Sequence, residues 1–214
     1  MIAAIVPAKA LDLAKGRLAE MLSEGERREL AVAMLEDVLR ALKGSPAVAR
    51  IAVVSPDDQV LRVATGAAVT AIQESPESGG LNRAISFAAD QFSPAPATLL
   101  VVLADVPGIT PASIATLIEA LPELGVAACP SNDGGTSALA VRPARAIPFR
   151  FGAQSFDAHQ EAASIASVDF REVRIPEIAR DLDSPADLRA FLDLPGDTAT
   201  HRLLARLNID SRAR

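Results

Sequence analysis

The chain has no tryptophan, no tyrosine, seven phenylalanines, one cysteine and two histidines among its 214 residues. Each shortage excludes something. A general nucleic-acid binder needs a basic face or aromatic stacking platforms, and a formal net charge of -6 with 3% aromatics offers neither. Cys129 stands alone, so an intramolecular disulfide is ruled out and a reducing cytoplasm is expected. One cysteine and two histidines are too few for a structural zinc site. No apolar run approaches the roughly 20 residues that span a bilayer, so no membrane association is expected. The amino terminus reads as a strand entering a fold, not as a signal peptide.

Glycine signatures are missing as well. There is no Gly-x-x-x-x-Gly-Lys-Ser/Thr loop, and the dinucleotide-binding glycines do not follow the first apolar run, which disfavours P-loop ATPases and dehydrogenases. No Gly-x-Ser-x-Gly elbow supports a Ser-His-Asp triad. His201 reads as a surface residue of a terminal helix and Cys129 as a small core residue.

What is present is apolar: half of the residues are hydrophobic, enough for one substantial core. Met1–Val6, Arg50–Ser55, Ala68–Ile72 and Thr98–Leu103 read as strands, separated by helical segments. The first of these starts at the capping box Ser23-Glu-Gly-Glu26 and carries Leu30, Met34, Val38 and Leu42 at four-residue spacing. Helices are also expected over 81–91 and from the Thr110-Pro111 start. Gly125–Cys129 and Thr136–Val141 read as an antiparallel edge pair around Asp133-Gly-Gly. A short helix is expected over 159–166, a strand over 168–175, and helices after Ser184-Pro185 and over 199–207. The alternation predicts an α/β fold, a three-layer mixed but mostly parallel sheet in one domain over 1–214, with a short fraying tail.

Three stretches carry chemistry. Leu99-Leu-Val-Val-Leu-Ala-Asp105-Val-Pro107 is a doubly covered strand ending on a carboxylate, at the sheet edge where α/β proteins bind ligands. Lys9, Lys15 and Arg17 cluster directly after strand one and suit phosphate oxygens, although a solvated basic helix would look the same. Asp181-Leu-Asp183, if extended, turns both carboxylates to one side and Leu182 to the core. These acidic groups suit magnesium, though both aspartates could instead cap the next helix. Glu77-Ser78-Gly79-Gly80-Leu81-Asn82 and two small-residue loops, 133–137 and 151–156, could bring amides and hydroxyls around anions. His159 follows the second of these loops.

In order, Val6-Pro-Ala-Lys9, Ala14-Lys15-Gly-Arg17-Leu18, Ala33–Leu39, Leu81-Asn82, Leu103-Ala-Asp105-Val-Pro107, Asp133-Gly-Gly-Thr136-Ser-Ala-Leu139, Phe151-Gly152-x-x-Ser155-Phe156-x-x-His159 and Asp181-Leu-Asp183-Ser-Pro185-x-Asp187-Leu188 resemble the 2-phospho-L-lactate guanylyltransferase family, over residues 2 to about 192. The resemblance implies a nucleotide-diphospho-sugar-transferase-like, Rossmann-like fold and a cytoplasmic step in biosynthesis of coenzyme F-420. GMP would pass from GTP to phosphoenolpyruvate, 2-phospho-L-lactate or 3-phospho-D-glycerate, with a slight lean to the first. It implies that Asp105, Asp181 and Asp183 hold Mg2+, that Lys9, Lys15, Arg17, Leu81 and Asn82 serve the nucleotide with Lys15 also catalytic, and that Thr136, Gly152, Ser155 and secondarily His159 surround the acid. The product would go to a downstream deazaflavin transferase, and a homodimer is left open. Gly134 and Ser137 depart from the more familiar Asp-Arg-x-Gly-Thr-Asn version, which leaves substrate choice open. A molybdopterin guanylyltransferase or other nucleotidyltransferase, or a GTP-binding regulator without transfer, are the rival readings.

Overall fold

Continuous apolar runs without alternation belong to strands covered on both faces, and in the computed structural model they form the centre of one sheet. The structure describes residues 1–74 and 79–209. The strands are β1 (Ile2–Pro7), β2 (Val48–Ser55), β3 (Thr70–Gln73), β4 (Thr98–Val102), β5 (Gly125–Pro130), β6 (Thr136–Arg142) and β7 (Asp169–Glu172). Every residue of β1, β4 and β5 is buried. Their order across the sheet is β3-β2-β1-β4-β6-β5-β7. Pairing is parallel except where β6 meets β4 and β5. The antiparallel strand thus lies inside the sheet, not at its edge as the hairpin-like spacing suggests, and β7 takes the edge.

Helices cover both faces. α1 (Glu24–Gly44) starts at Ser23, whose side chain and that of Glu26 satisfy each other's backbone N–H groups. Leu35, Val38, Leu39 and Leu42 of α1 pack on Ala4, Val6, Leu100 and Val102, together with Ile114 and Leu117 of α4 (Pro111–Glu119). The opposite face is covered by α3 (Leu81–Asp90) and α5 (Ser155–Ile165), through Ile85, Ala88 and Ala163 against Ile5, Leu99 and Leu139. α2 (Asp58–Gly66) joins β2 to β3.

A third core lies off the sheet. Leu18, Leu22, Leu30 and Met34 pack against Leu182, Leu188, Phe191 and Leu204. It joins the segment after β1 to α7 (Pro185–Leu192) and α8 (Ala199–Arg206). Asp37, buried in α1, accepts the N–H groups of Ala199 and Thr200 at 2.7 and 2.9 Å, fastening the start of α8.

Some elements differ from the sequence reading. The expected helix over 159–166 begins four residues earlier at Ser155, so His159 sits one turn inside it. The expected strand over 168–175 is cut to β7, because Pro176 starts a short helix, α6 (Pro176–Ala179). His201 is half-buried: its ring lies 4.3 Å from that of Phe191, and Nδ1 is 2.9 Å from Thr198 Oγ1. Part of the expected Glu74–Gly80 loop, residues 75–78 with Glu77 and Ser78, lies outside the described residues, as does the tail from 210 to 214.

Candidate functional site

The strand order reverses around β1, which runs between β2 and β4, and β1 and β4 end side by side at one edge. Such a switch point leaves a crevice beyond the carboxyl ends of parallel strands. Because β6 runs the other way, its first residue comes to that same edge: Val102 pairs with Ala138, and Leu103 N–H donates to the Ser137 carbonyl at 3.0 Å. The edge therefore collects the segment after β1, the end of β4 and the start of β6.

Asp105 stands three residues beyond β4. Leu182 is fully buried in the third core, and its N–H donates to the Asp105 carbonyl at 3.1 Å. Asp181 and Asp183 turn to one side, as the alternation expects, and the tertiary structure sets that side beside Asp105. A carboxylate oxygen from each of the three lies within 4.8 Å of the others. Neither Asp181 nor Asp183 caps α7. Ser184 and Asp187 do so, with Asp187 Oδ2 accepting Ser184 N–H at 2.7 Å.

Lys15 comes from the segment after β1. It holds a left-handed backbone, φ 54, between two short 3-10 turns, Leu11–Leu13 and Gly16–Leu18. Its Nζ donates to Asp105 Oδ2 at 3.0 Å and to Asp183 Oδ1 at 2.5 Å, with the side chain 6% exposed. Burial works against the ammonium, but Asp105 and Asp183 outweigh it and raise its pKa above the ordinary lysine value. An ammonium has three donors, so one remains for a ligand. Lys9 and Arg17 are exposed, and Arg17 contributes electrostatically at Asp133.

One ammonium does not balance three carboxylates. Burial first, then Asp105 and Asp183, push the Asp181 carboxyl up to about 6. Asp105 Oδ1 is buried and has no hydrogen-bond partner among the described residues. Hard oxygen donors in excess of the local positive charge, one of them unsatisfied, suit a divalent cation of the magnesium type.

The other half of the edge is made by two loops. In 131–135, Asp133 Oδ1 accepts from Ser131 Oγ and Gly135 N–H, which lowers its pKa. Phe156 N–H, at the start of α5, donates to the Gly134 carbonyl at 3.3 Å and ties this loop to 150–156. Gly152 is exposed at φ 135, and a Cβ built on it would meet nothing within 4 Å. That backbone favours glycine and leaves its peptide open to approach.

Thr136, Ser155 and His159 converge, but not as three open contacts. They are 2%, 1% and 0% exposed. Thr136 Oγ1 is 3.0 Å from His159 Nδ1 and 3.2 Å from Ser155 Oγ. Burial lowers the His159 pKa to about 4, so the ring is neutral near pH 7. Asn82 is drawn to this loop: Oδ1 accepts Phe151 N–H at 2.7 Å and Nδ2 donates to the Phe151 carbonyl at 3.0 Å. Leu81, next to it, packs on the α3–α5 core. The Asn82 clamp spans 69 positions and has no local signature in the sequence. Nor does the acceptance of Arg150 N–H by His159 Nε2 at 3.0 Å. Cys129 is buried, which pushes its thiol up to about 11, far from nucleophilic use.

A family model described as "Guanylyl transferase CofC like" matches residues 2–214. A phosphoenolpyruvate guanylyltransferase of Sphaerobacter thermophilus is 42% identical over 187 residues, covering 86% of this chain and 89% of that one. One from Roseiflexus castenholzii is 40% identical over 201 residues, covering 94% and 92%. Among solved structures, one assigned as a nucleotide-diphospho-sugar transferase from Desulfovibrio desulfuricans superposes with a TM-score of 0.79 at 17% identity, covering 99% and 96%. A CMP:2-keto-3-deoxy-manno-octonic acid synthetase complexed with CTP gives 0.62 at 14%, covering 96% and 98%. At these identities the structures speak for the fold alone.

Proposed function

Since the chain belongs to the CofC-like guanylyl transferase family, we propose that it moves GMP from GTP to phosphoenolpyruvate, releasing pyrophosphate, in the biosynthesis of coenzyme F-420. The observation that carries this reading is the juxtaposition of Asp105, Asp181, Asp183 and Lys15 with the paired loops 131–135 and 150–156 at one sheet edge. The names of the relatives favour phosphoenolpyruvate over the other two acids.

An oxygen of the acid's phosphate attacks the α-phosphorus of GTP. A new P–O bond forms as the bond to the β-phosphate oxygen breaks, and its electron pair leaves with pyrophosphate. The attacking phosphate has a second pKa of about 6 and is already dianionic near neutrality, so no general base is required. Asp105, Asp181 and Asp183 would hold magnesium, which when bound supplies charge neutralisation on the phosphates. Lys15 offers its third N–H to a phosphate oxygen, and exposed Arg17 and Lys9 add cations on the nucleotide side. The Gly152 peptide and the Thr136 hydroxyl serve the acid. Alignment of the two anions is the main work of the site. The product would be consumed by a downstream deazaflavin transferase.

GTP, magnesium and equimolar phosphoenolpyruvate, 2-phospho-L-lactate and 3-phospho-D-glycerate, with products resolved by mass, test the reading. Guanylylated phosphoenolpyruvate should dominate. Folded protein that releases no pyrophosphate with any of the three acids, even with the downstream transferase supplied to consume the product, refutes guanylyl transfer. Dominance of another acid refutes only the substrate choice.

A further inference from the structure

The donor at the head of the buried polar cluster is a peptide group. Arg150 N–H points at His159 Nε2, 3.0 Å away, and a peptide nitrogen only donates. Nε2 is therefore the bare nitrogen, and the ring proton sits on Nδ1. Nδ1 faces Thr136 Oγ1, which must accept. Ser155 Oγ lies 3.2 Å from the same oxygen, and of these two hydroxyls one donates to the other. A hydroxyl has two lone pairs and one proton. Since Nδ1–H cannot accept, the Thr136–Ser155 pair keeps one hydroxyl proton whichever of the two donates to the other, and no hydrogen bond places an acceptor for it among the described residues. Thr136 and Ser155 are 2% and 1% exposed, and a donor so buried is costly without an acceptor.

We propose that His159 is a positioning residue for the acid site: held as the Nδ1–H tautomer, it turns the Thr136–Ser155 hydroxyl pair into an obligatory donor to an anionic oxygen of the phosphorylated acid. This rests on the guanylyl-transfer reading and refines it, because His159 itself does not touch substrate. The Phe151 ring, edge-on at 4.9 Å, and the Asn82 clamp on Phe151 hold the loop so that Arg150 N–H stays on Nε2. With the ring buried and neutral at physiological pH, the direction of the chain does not reverse there. The arrangement favours an anionic acceptor and leaves a group without an acceptor in its place poorly matched.

The test combines kinetics with nitrogen-15 NMR of the histidine ring. The double variant Thr136→Val/Ser155→Ala and the single variant His159→Phe should each raise the KM for the acid about 10- to 100-fold, the scale of a hydrogen bond to a charged group. The KM for GTP should stay within about twofold in both, a split that general loosening of the fold would not give. In the wild type, His159 should remain the Nδ1–H tautomer from pH 8 to 6. The Nε2–H tautomer, or an unchanged acid KM in Thr136→Val/Ser155→Ala, overturns the proposal. If His159→Phe does not fold, the double variant and the spectrum still decide. Wild-type protein with no turnover would refute the function itself, and the tautomer would then test the hydrogen-bond chain alone.

Discussion

The Leu182 N–H donates to the carbonyl of Asp105 at 3.1 Å, across the gap between the carboxyl-terminal segment and the end of β4. The Leu182 side chain is buried in the third core, so its neighbours Asp181 and Asp183 have to turn towards Asp105. Leu182→Ala should cost about 2–4 kcal/mol, as core truncations of leucine do, measured by urea unfolding. It should also raise the magnesium concentration needed for half-maximal turnover. A normal magnesium requirement would mean that the carboxylates do not depend on this anchor.

Asp105→Asn and Asp183→Asn should each lower kcat/KM at least about 100-fold while leaving the far-UV circular dichroism unchanged, because a charge that stabilises the transition state is lost without a packing change. Chelation should stop the wild-type enzyme and added magnesium should restore it. Near-normal rates for both variants at limiting magnesium would remove these residues from the metal site.

Lys15→Ala should weaken GTP saturation and lower turnover by about tenfold or more. It also leaves three carboxylates without their cation, so the variant should melt lower in chelator and regain more stability than the wild type when magnesium is added. Arg17→Ala and Lys9→Ala, both exposed, should weaken GTP use without changing the melting temperature. GTP titrations at saturating acid and thermal melts check all three.

The His159 pKa of about 4 lies below the ordinary histidine value of 6.5. Between these values the unfolded chain binds a proton that the folded one excludes, so this residue makes stability fall as pH drops from 6.5 towards 4. His159→Phe should flatten that part of the profile and leave the slope above pH 7 unchanged. Asp181 acts in the opposite sense. With its carboxyl raised from 3.8 to about 6, the folded state binds the extra proton, and stability is lost as pH rises through that range. In chelator, Asp181→Asn should therefore melt higher than the wild type above pH 6 and no differently below pH 4.

Asn82→Ala removes both partners of the Phe151 peptide and should cost about 1–3 kcal/mol in stability. If Asn82 acts through the 150–156 loop, the KM for the acid should rise more than that for GTP. The reverse would return Asn82 to the nucleotide side. Steady-state titration of each substrate distinguishes the two.

Elements whose signals are local were legible in the residues alone. The Ser23–Glu26 box, the Thr110-Pro111 start and the unbroken run of β4 each satisfy their own backbone or bury their own faces, so they announced helices and strands directly. The alternation of Asp181, Leu182 and Asp183 likewise foretold which side chain enters the core. Partner choice was not local. That β6 inserts between β4 and β5, bringing Thr136 to the edge where Asp105 ends, is a matter of sheet order. Neither the 90 positions between Lys15 and Asp105 nor the 69 between Asn82 and Phe151 leave a periodic trace. The residues determined which groups could carry charge and donate hydrogen bonds. Only the packed sheet, by burying Lys15 among carboxylates and sealing His159 against Arg150 and Thr136, decided which of those groups face one another and which hydrogen each still has to give.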